Sequence, residues 1–133
     1  MDGYLADGSV ATAAVDPAAI QALREELPGL ERELFALFLQ DTPTRLAAMR
    51  AGAAARDPNV LQSSAHTLKS SAVTLGATEM ARLCLQIERL GQAESVEGAV
   101  QLVDALEAAF QRTRQALEPL LVDDDVPPAA GSN

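Results

Sequence analysis

The stretch DPNVLQSSAHTLKSSAVTLG, residues 57–76, decides the fold. Asp57-Pro58 is a helix start: the aspartate accepts hydrogen bonds from the first free backbone N–H groups, and proline at the first helical position lacks only an N–H that would be unpaired anyway. Gly76 at the other end suits the left-handed residue that closes many helices. Between these marks Leu61, Ala65, Leu68, Ala72 and Leu75 recur at +4, +3, +4 and +3. The spacing predicts an amphipathic helix with one apolar stripe that needs partners.

Punctuation on either side supplies them. Asp16-Pro17 repeats the start signal and opens a short helix that Pro28-Gly29 ends. A second helix is expected from about Leu30 to Ala55, with Pro43 inside it as a kink. A fourth runs from about Ala77 to Leu90, and a fifth follows Ser95 and ends near Pro119. Phe35, Leu39, Leu46, Met49 and Ala53 are the expected core positions of the second helix. Met80, Leu83, Ile87 and Leu90 serve the fourth, and Ala99, Val103, Leu106, Phe110 and Leu117 the fifth. Short loops make sequential helices antiparallel neighbours. The expected fold is all-α: an up-down-up-down four-helix bundle over residues 16–119 with a short additional N-terminal helix. Residues 1–15 read as a leader or linker, and 120–133 as a disordered acidic tail.

Composition agrees and removes several classes of function. Alanine (26) and leucine (19) make up 45 of 133 residues, and both lose little rotamer freedom in a helix. With four aromatic residues and no tryptophan, the core must be built from aliphatic side chains. The formal net charge of -9 leaves no basic surface for nucleic acid. No apolar run approaches the ~18 residues of a membrane span, and the N-terminus lacks a signal-peptide pattern, so a cytoplasmic protein without membrane contact is expected. A single cysteine, Cys84, cannot form an internal disulfide, and a single histidine cannot supply a di-iron bundle site. No metal site is expected.

That histidine, His66, follows core residue Ala65 by about 100° round the helix and so flanks the buried stripe. Its face carries Gln62 at -4, Lys69 at +3, Ser70 at +4 and Val73 at +7, all polar or small. Such a face presents an imidazole rather than hiding it. An unperturbed imidazole, with a pKa of ~6.5, is largely unprotonated near neutral pH and has a nucleophilic lone pair. Glu88 stands beside Ile87 as His66 stands beside Ala65, where it can accept the Nδ1–H and orient the ring. Lys69 can place a positive charge next to a phosphoryl group. By spacing alone the same residues also read as a surface histidine, a solvated lysine and half of a surface ion pair.

The run His66-Thr67-Leu68-Lys69-Ser70-Ser71-Ala72, with Leu75-Gly76, Cys84 and Ile87-Glu88, resembles the signature of histidine-containing phosphotransfer (HPt) domains, approximately His-x-Leu-Lys-Gly-Ser-Ala/Ser. Leu37-Phe38-Leu39-Gln40-Asp41-Thr42-Pro43 is similar to the family's second helix, and the likeness spans roughly residues 17–118. The resemblance implies that His66 is the phosphorylated residue, Lys69 the phosphate-side cation and Glu88 the ring-orienting acceptor. One departure stands out: Ser70 occupies the usual glycine position, which bears on transfer rate or partner choice.

A passive relay is implied, loaded by the aspartyl phosphate of a receiver domain or by a kinase and discharged to a receiver aspartate. It would have no catalytic activity and no cofactor of its own, the Mg²⁺ belonging to the receiver. The partner would dock on Gln62, Lys69, Ser70 and Val73, with Phe38 and Asp41 of the second helix. A bundle of this kind is expected to be monomeric. A receiver-docking bundle that takes no phosphate and the phosphoacceptor domain of a chemotaxis-type kinase are the alternatives. Met1-Asp2-Gly3-Tyr4-Leu5 resembles the segment before the Lys-Pro of receivers, so the chain is either the end of a hybrid kinase or freestanding.

Overall fold

In a computed structural model of the chain, residues 14–125 are described, with side chains to residue 121. They form α1 (Pro17–Glu26), α2 (Glu31–Ala54), α3 (Pro58–Leu75), α4 (Thr78–Gln92) and α5 (Ala99–Asp125), with no strand among the described residues. Both Asp-Pro pairs act as read. Asp16 accepts from the Ala18 amide at 3.0 Å, and Asp57 from the amides of Asn59 and Val60 at 3.1 and 3.4 Å. Gly76 closes α3 in the left-handed conformation, φ 71°, while the Ala77 amide reaches back to the Ala72 carbonyl at 2.8 Å.

The stripes meet in one core. α3 packs against α2 and α4, α5 packs against the same two helices, and α1 lies against α2 and α3. Leu61, Ala65, Leu68, Ala72 and Leu75 are all buried, as are Val103, Leu106, Phe110 and Leu117 from α5. On α4 Met80, Leu83 and Ile87 are buried, whereas Leu90 is only partly so.

On α2 the buried face differs from the expected one. Phe35, Leu46 and Met49 are in the core, but Leu39 and Ala53 are only partly buried, and Phe38, Thr42 and Gly52 take the inner positions. Thr42 escapes a purely hydrophobic pattern because its hydroxyl donates to the Phe38 carbonyl at 2.7 Å, which satisfies the buried oxygen. Thr113 on α5 does the same with the Ala109 carbonyl at 3.0 Å. The Phe38 ring meets Phe110 edge-on, with centroids 6.2 Å apart.

Both expected ends need correction. α5 does not stop near Pro119 but continues to Asp125, so residues 120–125 of the expected tail are helical. Pro119 removes one backbone hydrogen bond, yet Leu117 is fully buried and Leu120 and Leu121 pack against the core, holding the following turn in place. Within the expected leader, Val15 is buried, and the Asp16 amide donates to the Gly76 carbonyl at 2.9 Å. Residues 1–13 of that leader, including the Met1–Leu5 run, and residues 126–133 lie outside the described residues.

Gly76 thus joins the start of α1 to the end of α3. A Cβ there would stand 2.7 Å from the Ala19 Cβ and 2.9 Å from the Asp16 Cβ, on a backbone that L-residues adopt at a cost. Gly76→Ala is expected to lower the unfolding free energy by about 2–4 kcal/mol. Urea denaturation followed by circular dichroism measures this, and an unchanged midpoint would contradict it.

Candidate functional site

α3 and α4 make the most extensive helix contact among the described residues, and the candidate site spans it. The His66 side chain is 62% exposed and that of Glu88 only 8%. His66 Nδ1 lies 2.8 Å from Glu88 Oε2. An ionised carboxylate only accepts, so Nδ1 carries a proton, and in the neutral form of the ring Nε2 keeps its lone pair on an exposed face. This arrangement leaves one nitrogen of a fixed tautomer available for attack on an electrophile.

The second oxygen of Glu88 is also occupied. Lys69 Nζ, on a side chain 26% exposed, donates to Oε1 at 2.6 Å. Lys69 therefore sits on the carboxylate, one turn from His66, and bridges α3 to α4. Its ammonium holds the Glu88 carboxyl below the usual carboxylate range; burial opposes that effect and the hydrogen bond from His66 adds to it. Three side chains from two helices thus form one chain, imidazole to carboxylate to ammonium.

The remaining residues singled out by sequence are distributed unevenly. Gln62 is half-buried beside His66, where it lines an open depression with Asn59, Ser63, Thr67 and Glu88. Ser70 is exposed, and its hydroxyl donates to the His66 carbonyl at 3.3 Å. Val73 is 62% exposed. Asp41 is exposed and paired with Arg45 at 3.0 Å. Phe38 does not stand out as an exposed anchor: its ring is in the core, and the exposed apolar residue of this segment is Leu37, at 59%.

Leu37 is a residue that sequence reasoning missed. It borders a groove of about 430 Å³ between α2 and α3, with Leu34, Asp41, Arg45, Ser71 and Thr74 among its lining residues. The signal was one helical position away, since burying Phe38 turns Leu37 outward by about 100°. Asn59, Ser63 and Thr67 were legible as the -7, -3 and +1 neighbours of His66.

Cys84 is buried, and burial pushes its thiol up to about 12, so it is a packing residue with little thiolate. Among the described residues, no group of three or more His, Cys, Asp or Glu is placed to hold a metal ion. No helix among them is long and apolar enough to cross a membrane.

The depressed Glu88 carboxyl has a pH signature. Its folded-state value lies below the unfolded one of ~4.3, so the ionised group contributes stability above that value and loses the contribution as pH falls through the folded value. Lys69→Met removes the main cause of the depression. The acid limb of the stability profile is then expected to move to higher pH, as read from urea midpoints between neutral and acid pH. Superimposable limbs for the variant and the wild type would contradict this.

Comparisons with known proteins bear on the fold and the family. The crystal structure of histidine-containing phosphotransfer protein B (HptB) from Pseudomonas aeruginosa PAO1 matches with a TM-score of 0.79 at 23% sequence identity. The match covers 83% of this chain and 96% of that one, and at this identity the likeness is one of fold. No curated protein sequence matches the chain. A family model described as the Hpt domain matches residues 33–116, from the first turn of α2 into α5, leaving α1 outside it. Well over half of the chain falls within that one model, and the chain belongs to the Hpt family, the histidine phosphotransfer domains of phosphorelays.

Proposed function

We propose that this chain accepts a phosphoryl group on Nε2 of His66 from the aspartyl phosphate of a receiver domain, or from a kinase, and passes it to an aspartate of another receiver. The observation that carries the reading is the 2.8 Å bond from Nδ1 of an exposed His66 to the buried Glu88 carboxylate. In the loading step the Nε2 lone pair forms a bond to phosphorus. The phosphorus–oxygen bond to the aspartate breaks, and its electron pair leaves with the carboxylate. The ring then carries a positive charge, which Glu88 stabilises through the Nδ1–H bond. Discharge is the same sequence in reverse, with the next receiver's carboxylate as nucleophile.

Lys69 supplies the positive charge on the phosphate side. In the unloaded chain it is held by Glu88, so arrival of a phosphoryl group with nearly two negative charges gives its ammonium a second acceptor. The receiver brings the Mg²⁺, and the chain contributes position and a nucleophile without a cofactor of its own. It acts as a relay intermediate rather than a self-contained enzyme. The reading takes the four long helices as an up-down-up-down bundle, monomeric and cytoplasmic, with α1 added at the N-terminus.

The receiver docks around His66 on Gln62, Lys69, Ser70 and Val73, with Asp41 and the exposed Leu37 at the α2 edge. Support comes from composition: the chain has a net charge of -9, yet the α3 face around His66 has no exposed carboxylate, only amides, hydroxyls, a valine and Lys69. An acidic phosphorylation site approaches this strip without meeting like charge.

Incubation with a phosphorylated receiver tests the reading. The wild type is expected to take up label, and His66→Gln to take up none. Label that never reaches the chain, or reaches the variant equally, would sink the proposal. Loading by a kinase domain alone, with no receiver able to donate, would instead favour a chemotaxis-type phosphoacceptor. Glu88→Ala is expected to retain loading at a rate lower by about ten- to a hundredfold, because the nucleophile is present but no longer oriented.

A further inference from the structure

Gly91 lies one turn beyond Glu88 on α4, and Gln62 lies one turn before His66 on α3. At this point the two helices meet backbone to backbone. A Cβ on Gly91 would stand 2.6 Å from the Pro58 carbonyl oxygen, 2.8 Å from the Gln62 Cβ and 2.9 Å from the Gln62 backbone nitrogen. All three atoms belong to the backbone or are fixed to it, so no rotamer change relieves the contact. Ordinary van der Waals contact begins at 3.4 Å, so restoring it around any larger residue takes a separation of α3 from α4 of roughly 0.8 Å at the closest point.

The His66–Glu88 hydrogen bond spans the same two helices one turn away, about 5.4 Å along each axis. At 2.8 Å it has a margin of roughly 0.7 Å before it ceases to be a hydrogen bond. Glu88 has little freedom to follow a retreating ring, because its side chain is buried and its other oxygen is held by Lys69 at 2.6 Å. The displacement demanded at Gly91 and the tolerance at His66 are therefore of the same size.

We propose that Gly91 is a positioning residue for His66: the backbone approach it permits sets the α3–α4 spacing at which Glu88 can fix the imidazole tautomer. Its meaning for phosphotransfer rests on the function proposed above, but its effect on the ring does not. His66 is the only histidine in the sequence, so ring-nitrogen NMR reports its tautomer without overlap.

The wild type is expected to show the Nδ1–H form. Both Gly91→Ala and Glu88→Ala are expected to lose it in favour of mixed tautomers, and Gly91→Ala to slow loading about ten- to a hundredfold. Leu117→Ala opens a cavity in the core on α5 and is expected to lower stability while leaving the tautomer intact, which separates positioning from general destabilisation. A Gly91→Ala chain with the wild-type tautomer overturns the proposal, and so does a wild-type chain without a fixed tautomer. If Gly91→Ala folds only in a stabilising osmolyte, the spectrum is read there. A variant that stays unfolded even then also overturns it, because Gly91 would then serve the whole fold rather than the site. A chain that fixes the tautomer, loses it on Gly91→Ala and never accepts phosphate would refute the proposed function while leaving the positioning role standing.

Discussion

The site depends on a single buried carboxylate. Glu88 is almost wholly removed from water, and an unpaired charge there would be too costly to keep. Both of its oxygens are met by donors from α3, the imidazole of His66 on one side and the ammonium of Lys69 on the other. Those two donors are one helical turn apart, so a single residue of α4 fixes the orientation of two residues of α3. The helices must come close for this to happen, and at Gly91 the absence of a side chain lets them.

The same arrangement lets a strongly acidic chain present an α3 face around His66 without an exposed carboxylate. The carboxylate that meets His66 is buried and covered by two donors. Outward there remain hydroxyls, amides, an exposed imidazole and exposed apolar residues at Val73 and Leu37. Other acidic residues are engaged elsewhere: Asp41 with Arg45, Glu79 with Arg112, and Asp104 and Glu107 with Arg50. Exposed pairs of this kind contribute little stability each, and α3 itself carries no carboxylate.

Much of the fold was legible because helix ends carry local chemistry. Asp16, Asp57 and Gly76 act through their own backbone and the next few residues, so they mark boundaries without reference to the rest of the chain. Pro119 misleads for the converse reason. A proline weakens a helix locally, but whether the helix ends there depends on what the following leucines touch. Thr42 and Thr113 escape a hydrophobic pattern because a hydroxyl bonded to the carbonyl four residues back can sit in an apolar core. Those two threonines are neutral to the pattern and decided by packing.

By itself, the sequence determined the helices, the apolar stripes of α3 and α5, and the presence of a histidine beside a stripe rather than in it. These are consequences of a 3.6-residue period and of capping chemistry, both of which act over a few residues. The register of Glu88 beside Ile87 named it as the partner of His66, but tertiary structure decided the distance at which they meet, that Lys69 rests on Glu88, and that Phe38 turns inward while Leu37 faces out. Each of those outcomes turns on less than an ångström of separation or about 100° of rotation between helices, which no local pattern specifies. They are set when four stripes close on one core, and the small residue at Gly91 sets how tightly two of them close.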